Sequence, residues 1–219
     1  MRKTSYAVTF LLVLVSLTLN ILAIIRTDWL IDPGREFLYT RINVRYGLMK
    51  RCERQVLRVP DPDGDWQFVY TAFKCRDFPK SVSDRCEKEN RLFCVEWTSA
   101  GYLAQLAVGF GTMALFALLI GVSTHSRRRR VWKAVAGLVT LNALFSMFAF
   151  IIVSDLFRTS RLPDFDDVFP GPAWYINLLS WVFSFLIVFG VIWTGKAADK
   201  GHKWAAGNRA YTRIRDNDE

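Results

Sequence analysis

Four stretches of this chain each run for at least 20 residues without an Asp, Glu, Lys or Arg: Tyr6 to Ile25, Ala100 to Val122, Ala134 to Val153 and Ala173 to Thr194. A helix rises about 1.5 Å per residue, so ~20 apolar residues cross the ~30 Å hydrocarbon core of a bilayer. Backbone groups meet no water there and must bond within their own segment, so each stretch reads as a transmembrane helix. Buried helices of a large soluble core are the other reading, and four such runs in 219 residues argue against it. The first run follows Arg2 and Lys3, as a signal peptide would. Its apolar stretch exceeds the ~7–15 residues of a signal core and no clear A-x-A site follows, so it is read as a retained span.

The layout is then a short amino terminus (1–5), a first span (6–25), a long outer loop (26–99) and a second span (100–122). A short inner loop (123–133), a third span (134–153), a second outer loop (154–172), a fourth span (173–194) and an inner tail (195–219) follow. Charge sets the orientation. Segments 1–5, 123–133 and 195–219 hold 13 basic and 4 acidic residues, a net of +9, while the rest of the chain holds 16 of each. By the positive-inside rule the basic side is the cytosol, so both termini are expected there. The run Arg127, Arg128, Arg129 and Arg130 is the strongest single marker, placed to face anionic lipids of the cytosolic leaflet. That explains the basic balance of the chain without a nucleic-acid partner. The short inner loop joins antiparallel neighbours, and the expected fold is an all-α, up-down, left-handed four-helix transmembrane bundle.

The loop 26–99 is the one soluble domain. It carries all four cysteines, Cys52, Cys75, Cys86 and Cys94. An even number on the outer side reads as two disulfides, with three possible pairings. Zinc is disfavoured: the spacings are not C-x-x-C, and His125 and His202 lie in cytosolic segments. Ile42, Val44, Tyr46 and Leu48 alternate with polar residues, the period of a half-buried strand. Gln55 to Val59 and Trp66 to Tyr70 flank Pro60-Asp61-Pro62-Asp63-Gly64-Asp65, which reads as a hairpin turn. Asp61, Asp63 and Asp65 are not a calcium loop, because Gly64 stands fourth rather than sixth and Ala72 occupies the twelfth position. A small antiparallel sheet of this size needs its disulfides and its two membrane anchors. No N-x-[ST] sequon occurs.

Within the spans, the polar residues are Asn20, Gln105, Asn142, Ser146, Asn177, Ser180 and Ser184, and none is ionisable. Proton-coupled transporters and pumps mark their paths with buried ionisable groups. Interhelical hydrogen bonds, worth about 1 kcal/mol each, are the expected role of these amides and hydroxyls. Ala100, Ala104, Ala107, Gly111 and Ala114 form a small-residue stripe that admits a neighbouring helix closely, within the bundle or in self-association. There is no G-x-S-x-G, no H-E-x-x-H and no phosphate-binding glycine loop, so no enzyme, cofactor or metal is expected.

This arrangement resembles the claudin-like superfamily, which includes claudins, peripheral myelin and epithelial membrane proteins, calcium-channel gamma subunits and fungal PalI-type proteins. The likeness is carried by the layout, by Trp29 soon after the first span, and by Gly47-Leu48-Met49-Lys50-Arg51-Cys52 followed by Cys75. Met49 stands where the family has a second Trp, and Cys86 and Cys94 are additional, which points to a divergent member, of the fungal kind, rather than a tight-junction claudin. The resemblance implies a Cys52–Cys75 bond, which leaves Cys86 with Cys94. It also implies that Trp29 and Gly47-Leu48 pin the outer sheet to the helices. An indole suits an interface that is apolar on one side, and glycine permits close backbone approach.

The resulting expectation is a non-enzymatic plasma-membrane protein of adhesion or lateral organisation. An auxiliary subunit of a channel, transporter or synthase is the alternative, and an ion-conducting or transport protein the second. Its partners would be the bilayer and either a second copy or another membrane protein. Phe157, Phe165 and Phe169 lie among Asp164, Asp166 and Asp167 in the second outer loop. Apolar groups rimmed by charge are candidates for partner contact, with packing under the sheet as the competing role. Trp174 and Tyr175 are read as interfacial anchors.

Overall fold

The computed structural model describes residues 3–34, 36–37, 40–60, 66–80, 83–87, 90–123, 128–159, 168–202 and 205. Four helices dominate: α1 (Lys3–Ile25), α2 (Arg91–Ser123), α3 (Arg128–Arg158) and α4 (Pro172–Asp199). All four are long and apolar enough to cross a membrane. Each contains one of the four uncharged stretches and continues past it. The largest extension is at α2, which starts nine residues before Ala100, at Arg91. Its 33 residues amount to about 50 Å of helix, well beyond a ~30 Å apolar core. Once a helix is nucleated each added residue contributes a further backbone bond, so polar flanks such as Arg91 and Glu96 join it readily.

Among the described residues, seven strands form one antiparallel sheet: β1 (Leu30–Asp32), β2 (Glu36–Phe37), β3 (Thr40–Tyr46), β4 (Lys50–Pro60), β5 (Trp66–Tyr70), β6 (Lys74–Asp77) and β7 (Phe169–Pro170). The main order is β5-β4-β3-β1-β7, with β2 on β3 and β6 on β4. The expected hairpin is present: β4 pairs with β5 in a register that sets Val56 opposite Tyr70 and Pro60 opposite Trp66. The alternation expected to run to Leu48 stops sooner. β3 ends at Tyr46, and Gly47 N–H donates to Lys50 C=O at 2.8 Å, turning the chain into β4. Leu48 is nevertheless buried. Ile42 is 45% exposed, so Val44, Tyr46 and Leu48 are the members of that series in the core.

The chain divides into two compact units. One comprises Leu19–Leu106 and Phe145–Ser180 and holds the whole sheet with parts of all four helices. Its core gathers Trp29, Leu30, Val44, Tyr46 and Leu48 from the sheet region with Phe93, Trp97, Ala100, Ala104, Ala149, Val153, Leu156 and Ala173 from the helices. Phe78 stands in the middle, its ring centroid 5.4 Å from those of both Tyr46 and Trp97. The other unit comprises Met1–Thr18, Ala107–Leu144 and Trp181–Glu219. Its core is helical, built from Tyr6, Val13, Ala114, Leu118, Val135, Val139, Ile187 and Val191.

Polar groups inside the helices pair as expected. In the helical unit Ser16 Oγ and Ser184 Oγ lie 2.6 Å apart, and Asn142 Nδ2 donates to Ser184 Oγ at 3.1 Å. In the sheet-bearing unit Ser146 Oγ donates to Asn20 Oδ1, and Asn177 Nδ2 donates to Ser146 Oγ, both at 2.9 Å. Each set joins α1, α3 and α4. Gln105 departs from this pattern: its amide reaches Met49 Sδ, at the β3–β4 turn.

Candidate functional site

The residues with the most unusual surroundings cluster where the sheet meets the helix ends, inside the sheet-bearing unit. A helix leaves its last four carbonyls without intrahelical partners. At the end of α1, the Arg26 N–H returns to Leu22 C=O at 3.1 Å, and the Trp29 indole Nε1 donates to Ala23 C=O at 2.6 Å. The Trp29 side chain is fully buried. Its backbone is equally engaged: its N–H donates to Tyr46 C=O at 2.9 Å, and its C=O accepts Gly171 N–H at 2.8 Å. One residue therefore ties α1, β3 and the segment entering α4. Beside it, Asp28 accepts from Arg26 Nε at 2.9 Å, and its backbone C=O accepts from Ala173 N–H at 3.3 Å.

Two glycines make this joint possible. A Cβ on Gly47 would lie 2.7 Å from Thr27 Cα, and one on Gly171 would lie 2.0 Å from the Asp28 carbonyl oxygen. Both neighbours are backbone and unable to swing aside. Gly171 follows β7, which pairs with β1 so that Ile31 faces Phe169. The segment before α4 thus completes the sheet.

Both disulfides secure the same region. Cys52 is bonded to Cys75 across the β4–β6 register, and Cys86 to Cys94 in the first turn of α2. All four cysteines are thereby used. Between the bridges lies an ion cluster around the buried Asp84 that the sequence reading missed. Arg76 donates to Asp84 through Nη1 at 2.8 Å and Nη2 at 2.6 Å, Lys80 N–H donates to it at 2.7 Å, and Arg51 stands 3.9 Å away. Burial opposes the charge on Asp84. The hydrogen bonds from Arg76 and Lys80, with the charges of Arg76 and Arg51, outweigh it and hold the carboxyl below its ordinary range.

The small-residue stripe of α2 is covered by the chain itself. Ala100 and Ala104 are buried in the sheet-bearing unit; Ala107, Gly111 and Ala114 are buried in the helical one. The stripe continues Phe93 and Trp97 at alternating four- and three-residue steps, a signal present in the sequence once the helix is allowed to begin at Arg91.

The aromatic residues of the second loop separate. Phe157 is half-buried and packs on the sheet-side core, whereas Phe169 is 47% exposed. Phe165 and the three neighbouring aspartates lie outside the described residues, as do Asp61, Asp63 and Asp65, Arg127 and most of the inner tail. Arg128, Arg129 and Arg130 open α3. Trp174 Nε1 donates to Ser154 Oγ at 3.0 Å, while Tyr175 is exposed. A cleft of about 290 Å³, the size of a small ligand pocket, lies beside the β3–β4 turn and is lined by Met49, Lys50, Asp77, Phe78, Tyr102 and Gln105.

No family model matches the chain, and no curated protein sequence matches it.

Proposed function

We propose that this is a non-enzymatic, claudin-like four-span protein of the plasma membrane whose disulfide-bonded sheet is an outward contact surface for adhesion or lateral organisation. The observation that carries this reading is the joint around Trp29. Two glycine contacts and a capping indole fix the sheet to helix ends, one disulfide crosslinks β4 to β6 and the other ties the following segment to α2, while the distal part of that sheet remains exposed. Ile42, Val59, Phe68, Val69 and Tyr70 are all more than two-fifths exposed there. A sheet held so firmly and left so open serves recognition better than chemistry. The charge asymmetry supports an outward sheet, because the basic excess lies wholly in the segments on the other side of the spans.

Contacts are expected to use aromatics of the second loop, the exposed Phe169 and, from the sequence reading, Phe165. Paired substitution Phe165→Ala and Phe169→Ala is expected to weaken self-association or partner capture several-fold, in keeping with about 1–2 kcal/mol for an interface aromatic, and to leave surface delivery intact. Crosslinking at matched surface levels checks this. Equal crosslinking of variant and parent would remove the second loop from the contact surface, and loss of surface delivery would assign these residues to packing.

A further inference from the structure

We propose that the face of the sheet turned away from the helix-side core binds an acidic polysaccharide, carried by a row of arginines interleaved with aromatic rings. This deepens the contact reading above by naming the chemistry of a partner.

Residues directly opposite one another on antiparallel strands share a face. The register sets Arg41 opposite Val56, Asn43 opposite Arg54 and Arg45 opposite Cys52, so Arg41, Arg45, Arg54 and Arg58 stand on one face. Tyr70, opposite Val56, joins them. Val44 and Tyr46, on the other face, are the ones buried in the core. In the order Arg45, Arg54, Arg41, Arg58, each arginine is the diagonal neighbour of the next, a step of about 7–8 Å between backbones.

The guanidinium groups are held over rings. Arg45 lies 4.4 Å from the Phe73 centroid, and Arg54 lies 4.8 Å from Phe73 and 4.9 Å from Tyr70. Such stacking orients a planar guanidinium without consuming its N–H donors. Among the described residues, neither Arg45 nor Arg54 has an ion pair. Asp77 stands on this face at one end, opposite Lys50, and Arg41 is anchored by Nε donation to the Pro33 and Gly34 carbonyls.

A linear polymer with sulfates or carboxylates at regular intervals complements a linear row of forked donors. The exposed ring of Tyr70 adds a flat apolar face for the C–H side of a sugar, which an acidic peptide lacks. Nucleic acid matches the charge but belongs to the compartment of the basic termini.

The test uses the full-length chain purified in mild detergent with its disulfides intact. Binding to heparin is measured at moderate salt beside neutral dextran, poly-glutamate and phosphatidylserine vesicles. The parent is expected to bind heparin with an affinity that falls steeply with salt, and dextran not at all. Arg45→Gln with Arg54→Gln is expected to weaken heparin binding about 10-fold or more, through two lost charge-assisted contacts. Replacing Arg127 to Arg130 together by Gln is expected to leave it unchanged. Disulfide mapping and the melting temperature establish that the variants are folded. The proposal is overturned if the sheet variant binds as the parent does, if the inner-loop variant is the one that loses binding, or if poly-glutamate or the vesicles are bound as tightly as heparin. Because the assay is in detergent, a negative result leaves the crosslinking test of the contact surface unaffected.

Discussion

Trp29→Ala is expected to lower stability by about 3–5 kcal/mol, the range for deleting a large buried aromatic, and so to be the most damaging side-chain truncation in the sheet-bearing unit. The indole is fully buried among Ala23, Leu30, Tyr46 and Ala173, and an alanine would leave a cavity that fixed backbone cannot close. It would also leave the Ala23 carbonyl without the donor now 2.6 Å away. The two contributions separate experimentally. Trp29→Phe fills most of the space and removes only the donor, so it is expected to cost about 1–3 kcal/mol. Thermal unfolding of the purified chain in one detergent, followed by near-ultraviolet circular dichroism, ranks parent, Phe and Ala in that order. An alanine variant melting with the parent would mean that the joint does not depend on the indole.

Gly171→Ala adds a single methyl group and is expected to destabilise by about 3 kcal/mol, at the upper end for overpacking. The new Cβ would stand 2.0 Å from the Asp28 carbonyl oxygen and 2.9 Å from its carbon. That carbonyl is held by Ala173 N–H, and Gly171 N–H is itself held by Trp29 C=O, so relief requires separating β7 from β1. The paired control is Gly137→Ala, where nothing lies within 4 Å of the added carbon. Gly137 is inside α3, so alanine there is expected to stabilise by about 0.5–1 kcal/mol. Opposite signs at the two sites, read from melting temperatures in the same detergent, are the expected result. A neutral Gly171→Ala would show that the sheet is not clamped to the start of α4.

The helices were legible because the signal for each is long and one-dimensional. Twenty uncharged residues admit few readings, and the hairpin of Gln55–Val59 with Trp66–Tyr70 follows from two short β-rich runs around a dense turn. The joint was harder to see. Trp29 and Gly47 were flagged through a resemblance, whereas Pro170-Gly171-Pro172 reads locally as nothing more than a stiff turn. Its importance comes from the Asp28 backbone, more than 140 positions away in sequence, and no local pattern encodes that approach. Phe78, Phe93 and Trp97 were missed for a related reason. Starting the second span at Ala100 put Phe93 and Trp97 in the outer loop, although they continue the stripe of Ala100 and Ala104. Asp84 illustrates the limit for charges. One aspartate among many in a charged loop becomes distinctive when Arg76, Lys80 and Arg51 converge on it.

The account rests on a sheet that lies outside the cell on helices that cross its membrane, with both termini in the cytosol. The direct measurement is antibody access in intact cells to two epitope tags on otherwise unaltered chains, one inserted between β4 and β5 and one after Glu219. The account predicts that the sheet tag is stained on intact cells and that the carboxy-terminal tag is stained only after permeabilisation. Staining of the carboxy-terminal tag on intact cells, or a sheet tag that is hidden until the membrane is opened, would contradict it.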